Sequence, residues 1–141
     1  MSSEDLKVAQ QFIEAIPHAK ALGMVITEIA GGKAQLEMDY DPRFIGDPDT
    51  GVISGGAISA LMDTCCGAAV MSHPQVNGAT ATIDLRIDYM RAAKPGERIV
   101  AVAEVYHLTR TVAFVRARSY DNDRENPVAT ATGAFTAEKK A

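Results

Sequence analysis

Residues 51–72, GVISGGAISALMDTCCGAAVMS, limit the possible folds of this chain more than any other stretch. They read as a helix that opens with Gly55 and Gly56, carries apolar or small residues on every side, and has Asp63 as its only charged residue. A helix without a polar face cannot lie on a protein surface. We therefore expect the rest of the chain to wrap around it.

The same stretch approaches the length of a membrane span, but its composition favours a buried helix of a soluble protein. It is built from Gly, Ala, Ser, Thr and Cys more than from Leu or Phe, and a carboxylate lies near its middle. The N-terminus, MSSEDLKVAQ, lacks the basic and apolar regions of a secretory signal. Cys65 and Cys66 are adjacent, so their side chains point about 100° apart in a helix and do not easily form a disulfide. These features predict a cytoplasmic protein with no membrane partner.

Strand patterns surround this helix. Before it, two strands meet at Gly31 and Gly32, and the second strand alternates apolar residues in KAQLEMDY. Residues 41–51, DPRFIGDPDTG, predict a loop. The short turns after the helix indicate antiparallel pairing of four further strands. These strands are predicted at residues 80–92, 98–109, 111–121 and 127–138.

The N-terminal residues 2–20 predict a short amphipathic helix that lies on the larger body. The segment SSED supplies a candidate N-cap followed by acids in the first turn. Apolar residues then recur at helical spacing, and Pro17 is expected to end the helix. These apolar residues are Val8, Phe12, Ile13 and Ile16.

One α+β domain spanning residues 1–141 accounts for this order of elements. A curved antiparallel sheet would wrap around the one long central helix, and the short N-terminal helix would lie outside. Long final strands leave sheet edges, which proteins usually cover or pair. Pairing between two copies would make one continuous sheet, so we expect a homodimer or a dimer of dimers.

Charge and motifs exclude several classes of function. The 141-residue chain has a net charge of −4 and a pI of about 5.3, which argues against a nucleic-acid partner because such proteins usually present a basic face. No cluster of His, Cys and Asp has metal-ligand spacing, so no metal is expected. No Gly-rich phosphate-binding motif opens a helix, so no nucleotide cofactor is expected.

The Gly55-Gly56 pair at the start of the central helix is a candidate oxyanion site. The first N–H groups of a helix have no internal acceptors and carry partial positive charge. Glycine lets a ligand approach this backbone closely, and such amides can hold a carbonyl oxygen that becomes negative during attack. From the pair alone, a flexible helix start or tight packing against a strand is the simpler interpretation.

Asp63 follows Gly55 by eight residues, which is about 12 Å along a helix. It therefore cannot act on a carbonyl held at Gly55 of its own chain, and the two groups meet only if a second subunit supplies one of them. The alternative is a buried acid that a backbone group or a Ser or Thr hydroxyl satisfies. Both interpretations predict a specific neighbour for this carboxylate.

The strand after the central helix carries further polar candidates. Thr80, Thr82 and Asp84 alternate on one predicted face, where they either bind a water or a carboxylate or are simply solvated. The opposite, apolar face is predicted to consist of Ile83, Leu85, Ile87 and Tyr89.

Cysteine and basic residues give weaker candidates. A thiol nucleophile at Cys65 or Cys66 would need a histidine base, and the three histidines are scattered along the chain. Basic residues near strand ends are either plain solubilising charge or, together, phosphate ligands at the mouth of a cleft. The histidines are His18, His73 and His107, and the basic residues are Arg91, Lys94, Arg98 and Arg110.

Four segments occur in a characteristic order: GGAISALMDTCCGAAV, TATIDLRIDYMRAAKPGE, RTVAFVRARSYD and VATATGAF. Together they resemble the hotdog-fold acyl-CoA thioesterases of the phenylacetate-degradation (PaaI-like) type, over roughly residues 20–137. The resemblance implies a hotdog fold, in which a sheet wraps one central helix, and homodimers that pair into homotetramers. It also implies active sites at the dimer interface, where Gly55 of one subunit would face Asp63 of its partner.

The resemblance further implies an activity, the hydrolysis of an acyl-CoA thioester to a free acid and coenzyme A. Coenzyme A would enter only as part of the substrate. The amide of Gly55 would polarise the thioester carbonyl, Asp63 would act as nucleophile or as general base, and Thr82 would help to place water. The substrate-binding positions that the family pattern implies are Ser54, Gly56, Arg91, Arg110 and Thr111.

Two departures from the family pattern bear on activity. Ser54 stands where members commonly carry a His before the Gly-Gly pair, and the loop GDPDTGVI has Asp47 and Asp49 but no Asn. Losing one oxyanion donor costs on the order of 100- to 1000-fold in rate. A non-catalytic acyl-CoA-binding protein is therefore the alternative function. Hydration or dehydration of an acyl-CoA double bond is disfavoured, because the Asp/His pair that this chemistry needs is missing.

Overall fold

A computed structural model of the chain describes residues 3–141. Its three helices are α1 (Ser3–Glu14), α2 (Pro17–Ala21) and α3 (Gly55–Ser72). Its strands are β1 (Val25–Ala30), β2 (Lys33–Met38), β3 (Ile45–Asp47), β4 (Val52–Ile53), β5 (Thr82–Tyr89), β6 (Ile99–Leu108), β7 (Val112–Tyr120) and β8 (Ala129–Thr136).

Six strands form one sheet in the order β1-β2-β6-β7-β8-β5, with every neighbouring pair antiparallel. Helix α3 packs chiefly on β2, β6 and β7, and α1 packs on β1. The α+β architecture, with an antiparallel sheet around a central helix, is confirmed. None of the helices described in residues 3–141 is both long and apolar enough to cross a membrane.

Helix α3 lies at the centre of the molecule and is buried on most of its sides. Leu61, Met62, Cys65 and Cys66 are fully buried. The opposing strands present small or aliphatic side chains at alternate positions, as expected for the inner face of a half-buried sheet. Ala101 and Ala103 on β6 and Ala113, Val115 and Ala117 on β7 are examples.

Strand β5 lies at the edge of the sheet beside β8, and not beside its sequence neighbour β6. The short turn predicted between the strands at residues 80–92 and 98–109 therefore does not close a hairpin. Residues 90–98 instead carry the chain from one edge to the middle of the sheet. The hairpins β6–β7 and β7–β8 do form as their short turns predict.

The segment at residues 41–51 is more ordered than the predicted loop. Residues Pro42–Phe44 form a 3₁₀ turn, and β3 and β4 pair as a separate two-stranded sheet. The carboxylate of Asp41 accepts a hydrogen bond from the Arg43 N–H at 2.9 Å and so caps the turn. Strands of two and three residues are too short to leave a periodic pattern in the sequence, which explains the error.

The N-terminal segment differs from the prediction at its end. Helix α1 ends at Glu14, and Pro17 begins α2 instead of ending a helix. Proline is tolerated at the first position of a helix, because the N–H that it lacks would have no acceptor within the helix there. Ile13 is buried, whereas Val8, Phe12 and Ile16 are exposed. The candidate N-cap in SSED falls before Ser3, where α1 begins, and so lies outside the described residues.

An ion pair connects residues 90–98, which link β5 to β6, to the β7–β8 turn. The Arg91 guanidinium binds both carboxylate oxygens of Asp121 at 2.6 and 2.7 Å, and Asp121 is only 2% exposed. The carbonyls of Asn126 and Ala92 accept the remaining Arg91 N–H groups. The hydrogen bonds from Arg91 hold the pKa of Asp121 well below its usual range.

Replacing Arg91 by Ala should destabilise the protein by about 3–5 kcal/mol, because it leaves the buried carboxylate of Asp121 without its charged partner and with only the N–H groups of Lys94 and Asp123 as donors. The measurement is the free energy of unfolding from urea titration at neutral pH. The control is Arg86→Ala, which breaks the exposed Arg86–Asp88 pair and should cost less than about 1 kcal/mol.

The ion pair also predicts how the stability difference between wild type and Arg91→Ala changes with pH. A carboxyl group whose pKa is lowered by folding stabilises the protein above its unfolded pKa of about 3.9 and loses that effect as the pH falls further. The gap between wild type and Arg91→Ala should therefore shrink below about pH 4. Equal gaps at neutral and acid pH would contradict this account of Asp121.

Candidate active site

Ser54 organises the start of α3. Its N–H donates to the Phe44 carbonyl at 2.8 Å, and its hydroxyl accepts from the Gly56 N–H at 3.2 Å. Its carbonyl accepts from the N–H groups of Ala57 and Ile58. The N–H of Gly55 is the one first-turn donor to which the described residues give no acceptor, and Gly55 is exposed.

Tyr89 fixes the same helix start from the end of β5. Its hydroxyl donates to the Gly55 carbonyl at 2.8 Å, and a Cβ placed on Gly55 would lie 3.4 Å from the tyrosine ring. Sequence reasoning placed Tyr89 on an apolar strand face and gave it no part in the site. Its only signal in the sequence is an aromatic side chain with a polar end, near the end of the predicted strand.

Gly46 on β3 holds the chain close behind the helix start. A Cβ on Gly46 would lie only 2.8 Å from the Cα of Ser54, closer than a real Cβ comes to the backbone. The glycine therefore lets β3 and the residue that caps α3 approach each other. The predicted loop at residues 41–51 thus includes part of the support for the candidate site.

Asp63 has the specific neighbour that the sequence predicted. The hydroxyl of Thr82 donates to one carboxylate oxygen of Asp63 at 2.7 Å. Asp63 is half-buried and Thr82 is exposed, so the pair faces an open cleft and not the closed core. This hydrogen bond fixes the orientation of the Asp63 carboxylate.

A β-bulge between Thr82 and Asp84 corrects the predicted faces of β5. Because the bulge adds a residue, Thr82 lines the same cleft as Leu85 and Ile87, whereas Ile83 is 56% exposed. The carboxylate of Asp84 accepts from the Ala134 N–H at 3.1 Å. Thr80, outside the strand, donates to the Thr136 carbonyl.

The Asp63 cleft has a volume of about 470 Å³ between α3 and β5. Its titratable lining residues are Asp63 and His18. Helix α2 brings the exposed His18 to this cleft, and the sequence does not assign His18 to the site. Nothing in the local sequence distinguishes His18 from the other two histidines. The lining residues are His18, Gly56, Ser59, Ala60, Asp63, Thr64, Thr82, Leu85 and Ile87.

Gly55 opens on a different cleft. This second space, of about 250 Å³, lies beside Tyr89, Met90 and Val52. Gly55 and Asp63 belong to one helix, about 12 Å apart along its axis. Within a single protomer, the free amide and the carboxylate therefore do not converge.

Of the predicted coenzyme A ligands, Arg91 lines the cleft beside Gly55, whereas Arg110 and Thr111 are not among the residues that line either cleft. Arg91 uses all five N–H groups within its own protomer, so binding a phosphate would require it to release protein partners. Arg98 pairs with Glu37 and Asp39. Arg110 and Thr111 are exposed at the β6–β7 turn, next to the end of β8 that pairs with the start of β5.

The cysteines have a structural environment. The thiol of Cys65 lies 3.4 Å from the carbonyls of Ala34 and Ala101, and burial raises its pKa to about 12. Burial also raises the pKa of Cys66 far above its usual range. A neutral, enclosed thiol is a poor nucleophile, so the environment disfavours the thiol mechanism.

Comparison with known proteins bears on these features. The family model described as "Thioesterase superfamily" matches residues 50–128, which include the start of α3, Asp63 and Thr82. This chain belongs to the thioesterase superfamily. The resemblance to hotdog-fold acyl-CoA thioesterases of the PaaI-like type is thereby confirmed, together with the hotdog fold and the assignment as a thioesterase.

Individual relatives of this thioesterase cover nearly the whole chain. The medium/long-chain acyl-CoA thioesterase YigI of Escherichia coli K12 is 27% identical over 141 positions, covering 91% of this chain and 90% of YigI. A crystal structure of a Pseudomonas aeruginosa protein is 37% identical, with a TM-score of 0.82 and coverage of 93% and 97%. Escherichia coli PaaI, from the phenylacetic acid degradation operon, is 21% identical over 94% and 95% of the two chains and shares the fold, with a TM-score of 0.76.

Replacing Gly46 by Ala should destabilise this thioesterase by about 1–3 kcal/mol, because the new methyl group collides with the Ser54 backbone. Gly67→Ala is the matched control. Its Cβ would meet only Thr80 at 3.8 Å, and alanine favours a helix interior by about 1 kcal/mol. The melting temperature should fall for Gly46→Ala and rise for Gly67→Ala. An unchanged melting temperature for Gly46→Ala would contradict the close packing of β3 against the start of α3.

Proposed function

We propose that this protein hydrolyses an acyl-CoA thioester to a free carboxylic acid and coenzyme A, with Asp63 as the central catalytic group. The observation that carries the proposal is the Asp63–Thr82 pair, in which a half-buried carboxylate is oriented by a hydroxyl at 2.7 Å and faces an open cleft. Membership of the thioesterase superfamily supports the reaction class, and the name of YigI supports acyl-CoA as the substrate.

Two routes use the same carboxylate. As a general base, Asp63 takes a proton from water while the water oxygen attacks the thioester carbonyl carbon, and the C–S bond then breaks to release the thiolate. As a nucleophile, its oxygen attacks the same carbon, the thiolate leaves, and water hydrolyses the resulting anhydride. The hydrogen bond from Thr82 occupies one oxygen, and the other oxygen serves either route.

The exposed N–H of Gly55 is the proposed donor to the carbonyl oxygen. Ser54 already takes the Gly56 N–H through its hydroxyl, so the first turn offers the Gly55 amide and the positive end of the helix dipole. Because Gly55 and Asp63 open on separate clefts of one protomer, a second subunit has to bring its Gly55 to this Asp63. Gly56 and Ser54 then shape the substrate-binding backbone.

The free edge of β5 is the proposed place of contact between the subunits. It is the outer strand of the sheet next to the Asp63 cleft. Exposed Ile83 lies near its start and exposed Tyr89 at its end, and exposed Met90 follows directly. Pairing two such edges satisfies unpaired backbone groups and covers these apolar side chains. Association of two dimers into a homotetramer extends the same proposal.

Coenzyme A enters this proposal only as part of the substrate. Arg110 and Thr111 are exposed and available to its phosphates, whereas Arg91 would have to leave Asp121 to take part. No cofactor, metal, nucleic-acid or membrane partner is part of the proposal, and its setting is the cytoplasm.

Replacing Asp63 by Asn should lower the rate of thiol release from an active acyl-CoA by on the order of 100- to 10,000-fold. The amide keeps an oxygen to accept from Thr82 but cannot take a proton or form the anhydride. The assay follows free thiol with a panel of acyl-CoAs. The control is Asp39→Asn, a surface carboxylate paired with Arg98, which should leave the rate unchanged.

Other results of this assay are equally informative. Full activity in a pure Asp63→Asn preparation would remove Asp63 from the mechanism. Thermal stabilisation of the wild type by acyl-CoAs without any thiol release would support the alternative function, a non-catalytic acyl-CoA-binding protein. The observation that favours this alternative is Ser54 at the position where family members commonly carry His.

Sedimentation at micromolar concentration should give a dimer or a tetramer of the 15.0 kDa chain. Replacing exposed Ile83 by Lys on β5 should shift the population towards monomer and reduce hydrolysis with it, because the site needs two subunits. A wild-type monomer that retains full activity would overturn the shared-site proposal. Tyr106→Lys, on the distant strand β6, is the matched exposed control.

A further inference from the structure

A third cleft lies beneath α1, and the proposed mechanism does not use it. It has a volume of about 490 Å³, within the usual range of small-molecule sites. Val8 and Phe12 of α1, Ile29 of β1, and Ala68 and Met71 of α3 are among the residues that line it. We call this space the α1 cleft.

The α1 cleft offers an almost purely apolar surface. Its two polar lining residues are Asp5 and Ser72. The Ser72 hydroxyl is already committed, since it donates to the Ala69 carbonyl at 2.8 Å and accepts from the Gly32 N–H at 3.0 Å. A ligand for this space is therefore held by burial of hydrocarbon and not by hydrogen bonds to Ser72.

Apolar side chains at the rim of this cleft are left in water. Val8 is 56% exposed and Phe12 is 58% exposed, although α1 folds against β1. Covering such side chains is favourable, at about 0.8 kcal/mol for each buried methylene group that a ligand adds. The α1 cleft thus gains most from a ligand with a long hydrocarbon portion.

Residues of helix α3 line both the α1 cleft and the Asp63 cleft. Thr64 lines the Asp63 cleft and Ala68 lines the α1 cleft, and these residues are one helical turn apart on the same face. From Asp63 to Met71 the distance along the axis is about 12 Å. An acetyl group cannot reach this far from a carbonyl at Asp63, whereas a longer unbranched chain can.

We propose that the α1 cleft binds the distal part of an unbranched medium- or long-chain acyl group whose thioester carbonyl lies at Asp63. This inference rests on the proposed function and names its substrate class. The chain runs along α3 past Thr64 and Ala68 and ends beneath Val8 and Phe12. The N-terminal helix is then the element that determines chain-length preference.

The test is the double variant Val8→Ser, Phe12→Ser, assayed for hydrolysis of dodecanoyl-CoA and butanoyl-CoA. Both side chains are more than half exposed, so the fold should tolerate their replacement. We expect kcat/KM for dodecanoyl-CoA to fall about tenfold, with butanoyl-CoA changed less than about twofold. Val25→Ser is the matched control, since Val25 is an exposed apolar residue of β1 that does not line the cleft.

A second variant, Ala68→Leu, places a larger side chain in the α1 cleft one helical turn from Thr64 and should cause the same selective loss, with thermal melting used to verify folding. Equal losses for both chain lengths, or no loss for either, would overturn the inference. So would a change in sedimentation without selective kinetics, which would identify this face as a contact between copies of the chain.

Binding measured without turnover separates this inference from the proposed function. In the Asp63→Asn background, the Val8→Ser, Phe12→Ser change should weaken dodecanoyl-CoA binding about tenfold. That result supports the α1 cleft even if the wild type hydrolyses no acyl-CoA, in which case only the proposed function fails. Unchanged dodecanoyl-CoA affinity rejects the α1 cleft whatever the activity.

Discussion

Enclosing α3 is the physical requirement on which the remaining structure depends. Leu61, Met62, Cys65 and Cys66 would all meet water if the helix were left on the surface, so the sheet has to cover them. The strands that do so place alanine and valine on their inner face, which lets helix and sheet approach closely. Enclosure also leaves the two ends and one flank of the helix as the places where chemistry can occur.

The candidate active site uses the parts of α3 that the sheet does not cover. At its start, Ser54 and Tyr89 hold the backbone around the exposed Gly55, to whose amide the described residues give no acceptor. Two turns later, the Thr82 hydroxyl fixes the direction of the Asp63 carboxylate. On one helix, the Gly55 amide and the Asp63 carboxylate are too far apart to act on the same thioester. This separation is why the proposed reaction needs two subunits.

Part of this arrangement was predictable because it is local. The apolar helix, the acid within it, the Gly-Gly start and the antiparallel strands each leave a pattern within a few residues. The faces of β5 were predicted wrongly, because a bulge shifts the alternation between Thr82 and Asp84 and no local pattern shows it. A charge near a strand end suggests a phosphate ligand at Arg91, but it does not show that Asp121, 30 residues later, pairs with this guanidinium.

The sequence by itself determined the α+β class, the central helix, the thioesterase family and the two positions that carry the proposed chemistry. Periodicity and composition encode burial, and burial decides which elements form. Only the tertiary structure decided that β5 lies beside β8, that Thr82 meets Asp63, and that His18 enters the same cleft. These outcomes depend on strand register and on contacts between distant residues, which a local pattern of hydrophobicity does not specify.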